Sequence, residues 1–164
     1  MIPLPTGVKL GTYDRPKLLK LQKELAHYCF YFGSVDLQDT EAFVQEFFAK
    51  NMLILELPYG LAMIRQLIEG ERAEVHISCF DHKLSVHTDD LKDCLTWAFL
   101  QFNLQRIETF VHDFMPAVRR FLEDRLHFTH EGVMRKRAFL RGEFRDIHIY
   151  GLLRDEVLGG KDGK

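Results

Sequence analysis

Ala73-Glu74-Val75-His76-Ile77-Ser78-Cys79-Phe80 alternates side chains with the period of a strand: Ala73, Val75, Ile77 and Cys79 share one face, and Glu74, His76, Ser78 and Phe80 share the other. After an irregular stretch, Thr88-Asp89-Asp90 has the composition of a capped helix start. Leu91, Leu95, Ala98, Phe99 and Phe102 then recur at helical spacing to about Asn103. Arg106 to His112 reads as a second strand. Strand, helix and strand in this order predict two parallel strands of one sheet joined by a right-handed crossover.

Upstream, Met52 to Leu57 and Leu61 to Ile68 are apolar runs separated by Pro58-Tyr59-Gly60, the pattern of a β-hairpin. The turn at Glu69-Gly70 leads into the Ala73 strand, which completes an antiparallel meander. Further back, Val8 to Thr12 reads as a first strand. Asp14 before Pro16 opens a helix to about Tyr28, with Leu18, Leu19, Leu21, Leu25 and Tyr28 on one face. Asp39 caps a second helix that turns Phe43, Val44, Phe47 and Phe48 inward. Downstream, Pro116 opens a helix carrying Val118, Phe121, Leu122 and Leu126, and two closing strands fall near Gly132 to Leu140 and Phe144 to Leu153.

A chain of 164 residues, 46% hydrophobic and 28% charged, is long enough for one domain with a true core. We assign residues 1–158 to that domain and 159–164 to a flexible polar tail. The net charge of −2 supplies no field that recruits nucleic acid, and no apolar run reaches the length of a membrane span. Cys29, Cys79 and Cys94 are odd in number and lack metal spacing, which fits buried thiols in a reducing compartment better than a disulfide framework, so the cytoplasm is the expected location. The eight histidines show no tight ligand motif, and no metal is expected. Arg135, Lys136, Arg137, Arg141 and Arg145 form the one basic concentration, diluted by Glu143 and Asp146; it reads as a solvated face, so neither a nucleic-acid nor a membrane partner is expected.

Two C-terminal segments carry a family resemblance. Leu126-His127-Phe128-Thr129-His130-Glu131-Gly132-Val133-Met134-Arg135 resembles a signature of the GNAT N-acetyltransferases, in the branch containing the ribosomal-protein N-terminal acetyltransferases, with His127 in place of a glycine. Arg141-Gly142-Glu143-Phe144-Arg145-Asp146, followed by Ile149-Tyr150-Gly151-Leu152-Leu153, is similar to the ending of that branch. The resemblance implies an α/β fold with a mixed, largely antiparallel sheet flanked by about four helices. It also implies acetyl-CoA as the cofactor of an active member.

In that family a glycine-bearing loop after the fourth main strand holds the coenzyme pyrophosphate with backbone N–H groups at a helix start. The corresponding stretch here is Phe80-Asp81-His82-Lys83-Leu84-Ser85-Val86-His87-Thr88, with Lys83 and Ser85 at the small-residue positions. Phe80, His82, Lys83, Leu84, Ser85, Val86, His87 and Thr88 are therefore the cofactor-loop candidates. Asp89 and Asp90 put two carboxylates into the first helical turn, where they are expected to cap the helix themselves. Asp113 stands near the position of a pantetheine-contacting Asn, and the region lacks the family's Ser and Tyr.

Transfer to an amine needs a base for the ammonium, and Glu74 and His76, two apart on one strand face, are the catalytic candidates. Structural roles compete: a sheet-edge carboxylate for Glu74, a satisfied half-buried histidine for His76. His148 and Tyr150 on the last strand are weighed in the same way. The departures in the loop favour a catalytically weak or silent binding or assembly protein, with a protein partner on the sheet surface. The alternative is an acetyl-CoA-dependent N-acetyltransferase acting on a protein N-terminus or small amine through an unorthodox phosphate loop.

Overall fold

The computed structural model describes residues 1–27, 31–32, 35–48, 52–80 and 84–159. Cys29, Asp81, His82, Lys83 and the tail 160–164 lie outside them.

Seven strands form one sheet in the order β1-β4-β5-β6-β7-β9-β8. These are β1 (Lys9–Leu10), β4 (Leu53–Leu57), β5 (Gly60–Ile68), β6 (Arg72–Cys79), β7 (Arg106–His112), β8 (Thr129–Leu140) and β9 (Glu143–Leu153). Every pairing is antiparallel except β6 with β7, which is parallel as the strand–helix–strand reading requires. Helix α3 (Thr88–Gln101) makes that crossover, and α4 (Pro116–Asp124) connects β7 to β8. The fold is the mixed, largely antiparallel α/β architecture expected.

The period-2 pattern of the strands divides the core into two layers. Ala62 and Ile64 of β5, Ala73 and Val75 of β6 and Ile107 and Val111 of β7 pack under α3 and α4 with Leu91, Leu95, Phe99, Phe121 and Leu122. On the opposite face, Leu61 and Met63 meet helices α1 (Arg15–Leu25) and α2 (Thr40–Phe47) through Leu18, Leu21, Leu25, Phe43, Val44 and Phe47. Both helices begin on the expected caps: Asp14 Oδ1 accepts from Lys17 N at 2.9 Å and Asp39 Oδ1 from Ala42 N at 3.0 Å. Each such cap stabilises its helix by about 1 kcal/mol.

Several expectations are corrected. The first strand is only two residues long, Lys9–Leu10, and a small two-stranded ribbon, β2 (Tyr31–Phe32) with β3 (Val35–Asp36), lies between α1 and α2. A fifth helix, α5 (Arg154–Leu158), follows β9. Its start is fixed by Glu156 Oε2, which accepts from Leu153 N at 2.8 Å. Arg154 donates to the carbonyls of Phe99 and Leu104 at 3.0 Å, so it occupies the carbonyl end of α3. Such a short helix has too few periodic positions to be read from sequence.

The start of α3 is the correction that bears on function. Its N-cap residue is His87, whose side chain makes no capping hydrogen bond, and a 3-10 turn over Leu84–His87 runs straight into the helix. Asp89 and Asp90 therefore sit inside the first turn, past the N-cap position.

Candidate functional site

The β6/β7 pair is the organising feature. The strands pair only at Arg72↔Arg106, Ala73↔Ile107 and Glu74↔Glu108, although β6 continues to Cys79 and β7 to His112. Beyond Glu74 the two strands part. Alternate backbone groups of Val75–Cys79 that would join a ladder to β7 instead face the gap.

Glu74 and His76 lie at the closed end of this gap, on the α1/α2 face. Their antiparallel partners on β5 are Arg65 and Met63, and Met63 belongs to the α1/α2 core. Glu108 pairs directly with Glu74, which places Glu108, Phe110 and His112 of β7 on the same face. Burial and the carboxylates of Glu108 and Glu46 push the Glu74 carboxyl above its usual range, against the opposing pull of Arg65. His76 is half-buried, and burial, with Arg65 and His112 nearby, brings its imidazole down to about 4. At neutral pH this face thus holds a carboxylate of raised basicity beside an uncharged imidazole.

The His76 shift makes acid lability an expected property. The unfolded chain protonates this histidine near pH 6.5, whereas the folded chain holds it neutral down to about pH 4. Between these values the unfolded state binds more protons, so stability falls as pH falls through that window. The contribution is up to about 3 kcal/mol. In denaturant titrations His76→Gln should lose less stability than wild type between pH 7 and 4. Parallel losses would show that His76 is not the sensitive group.

An ion-pair network closes the bottom of the gap. Arg72 reaches Glu108 at 3.0 Å, and Arg106 reaches Glu108 at 3.1 Å and Glu131 through two contacts at 2.7 and 2.5 Å. Beside it, Arg65 of β5 pairs closely with Glu46 of α2 and stands 3.8 Å from Glu74. Arg65, Glu46, Glu108 and His112 were not singled out by sequence. The available signal was a charged residue, Arg65, directly after the buried run Gly60–Ile64.

The cofactor-loop candidates are placed as follows. Phe80 is half-buried against the α1/α2 core. Leu84 and Ser85 form the 3-10 turn with Val86 and His87, and Thr88 opens α3. The Val86 side chain is 70% exposed. The His87 ring stacks on buried Tyr59, with centroids 3.6 Å apart and planes 10° from parallel, so packing holds it. Asp113 receives a hydrogen bond at Oδ2 from Asp146 N of β9 at 3.4 Å, on the side of β7 away from the gap. Its Oδ1 is buried and has no hydrogen-bond partner.

His148 and Tyr150 lie on the α4 face, away from Glu74 and His76. Tyr150 is buried and donates to Glu123 Oε1 at 2.7 Å, and its phenol is pushed up to about 12 by burial and by that carboxylate. His148 contacts Arg119 at 3.2 Å and His130 at 3.0 Å; burial, with these two groups, holds it below the usual imidazole range. This network ties α4 to β9 and β8. Among the described residues no group of three His, Cys, Asp or Glu side chains forms a metal site. Nor is any helix there long and apolar enough to cross a membrane.

No protein-family model and no curated protein matches the chain. Solved structures do. A point mutant of the spermidine N-acetyltransferase SpeG from Vibrio cholerae superposes with a TM-score of 0.70 at 17% identity, over 96% of this chain and 100% of that one. A form of the spermidine/spermine N-acetyltransferase SpeG from Vibrio cholerae with two Glu-to-Gln changes gives 0.67 at 16% identity, over 96% and 100%. A chimera of SpeG from Vibrio cholerae with hSSAT gives 0.67 at 16%, over 92% and 98%. At such identities the likeness establishes a common fold, that of the GNAT N-acetyltransferases.

Proposed function

We propose that this chain is an acetyl-CoA-dependent N-acetyltransferase of primary amines, with Glu74 as the proton acceptor. The observation that carries the reading is the parallel β6/β7 pair that opens above Glu74, with the raised carboxyl of Glu74 and the neutral imidazole of His76 at its closed end. The fold shared with N-acetyltransferases supports it.

The residues present fit the coenzyme in two respects. The last rung between β6 and β7 is at Glu74, so an extended amide-bearing arm such as pantetheine would lie in the gap alongside Val75–Cys79. At the start of α3 the N-cap residue His87 makes no side-chain capping hydrogen bond that a phosphate would have to displace. When bound, the coenzyme supplies an activated acetyl thioester. Amines are protonated at neutral pH, so the acceptor must lose a proton before its lone pair can attack. Glu74 takes that proton, and its raised basicity favours the transfer. His76, uncharged, adds no positive charge to repel an incoming ammonium.

A silent binding protein remains the second reading, favoured by Asp89 and Asp90 in the first turn of α3, whose charges oppose a phosphate there. The two readings separate in one assay, in which free thiol released from acetyl-CoA is followed against a panel of N-terminal peptides and small amines. Acceptor-dependent thiol release is the expected outcome. Absence of release across the panel, with no rise in melting temperature at saturating acetyl-CoA, would sink the enzymatic reading.

A further inference from the structure

Arg65 stands between two carboxylates from different layers. On one side is Glu46, in the last turn of α2, with Arg65 Nη1 in close contact with Glu46 Oε1. On the other is Glu74, with Arg65 Nε 3.8 Å from Glu74 Oε1, beyond hydrogen-bond distance. All three side chains are largely enclosed, with 21%, 18% and 12% exposure for Arg65, Glu46 and Glu74, so their charges are poorly screened. Glu46 Oε1 is buried and makes no hydrogen bond, so its contact with Arg65 is Coulombic.

We infer that Glu46 is a positioning residue: by drawing the Arg65 guanidinium toward α2 it keeps Glu74 from being locked in an ion pair and leaves it able to accept a proton. This inference rests on the proposed role of Glu74. An arginine fully engaged with Glu74 would stabilise the carboxylate and make it a poor base. With Glu46 present, the positive charge is shared, and Glu46 adds its own negative field at Glu74. Among the described residues, the remaining groups facing Glu74 are Glu108 of β7, itself held by Arg72 and Arg106, and His76 on β6, which is neutral and lies next to His112. Of these neighbours, only Arg65 is a cation whose engagement with Glu74 is set by a residue of the helical layer.

The test uses the whole chain and two readouts. In carbon-detected NMR of the coenzyme-free protein, with the Glu74 carboxyl assigned by its loss in Glu74→Gln, Glu46→Gln should move the Glu74 titration down by about half to one pH unit. Arg65→Gln should move it up, and Glu46→Asp, which keeps the charge, should leave it near wild type. The acid limb of kcat/KM against pH should shift in the same directions. An ion pair that merely fastens α2 to β5 would change melting and leave both titrations in place, and that result overturns the inference. The NMR shifts without any acetyl transfer would support the charge coupling and reject the enzymatic reading, so the two fail separately.

Discussion

Glu74→Gln is expected to lower kcat/KM for acetyl transfer by about 10²-fold or more, with little change in melting temperature. Gln keeps the shape of the side chain but cannot take a proton, and Arg65 retains Glu46 as its counter-ion, so no buried charge is left alone. His76→Gln should cost less than about tenfold, because an imidazole whose proton leaves near pH 4 has little driving force to hold one from an ammonium. The comparison is made from steady-state rates at one saturating coenzyme concentration, with melting curves for both variants. If His76→Gln loses more activity than Glu74→Gln while both melt normally, the imidazole is the base and the proposed assignment fails.

Elements with long, clean periodicity were legible in the sequence. Arg106–His112 begins and ends where the alternation does, and α3 starts at Thr88 as read, with Asn103 at positive φ just past its end. The face carrying Glu74 and His76 also followed from the period-2 rule, because Ala73 and Val75, which alternate with them, are buried under α3 and α4. What could not be read was set by tertiary contact. The shortened β1 and the ribbon β2–β3 are two residues per strand, too few for a period to show. The start of α3 misled because Thr88-Asp89-Asp90 has cap composition, whereas the N-cap falls one residue earlier, on His87, at the end of a 3-10 turn.

The partners of Glu74 were illegible for a different reason. Arg65 and Glu46 are nineteen positions apart and approach through packing of α2 on β5, which no local pattern encodes. The same holds for Arg106 with Glu131, whose pairing depends on β9 lying between β7 and β8. Charge networks of this kind become visible only once strand order is known.

Gly60→Ala is expected to destabilise the protein by about 3 kcal/mol, roughly a 10 °C fall in melting temperature for a chain of this size. By sequence Gly60 belongs to the Pro58-Tyr59-Gly60 turn, but in the structure it is the first residue of β5 and pairs with Cys79 at the open end of β6. A Cβ there would lie 2.1 Å from the carbonyl oxygen of Ser78 and 2.9 Å from Cys79 Cα. Both are backbone atoms, so relief requires β5 and β6 to part at the head of the strand that borders the gap. Gly151 marks the contrast, because its added Cβ would meet Glu131 Oε1 at 2.4 Å and Arg106 Nη1 at 2.5 Å, the ends of side chains that can swing aside. Gly151→Ala should therefore cost less than Gly60→Ala, by loosening one ion pair. Gly132→Ala, with nothing within 4 Å of the new carbon, should stay within about 0.5 kcal/mol of wild type. Chemical denaturation of the three variants checks the order. A Gly60→Ala protein as stable as Gly132→Ala would mean that the β5/β6 contact at Ser78 is looser than its geometry indicates, and the closely held head of β6 would lose its structural basis.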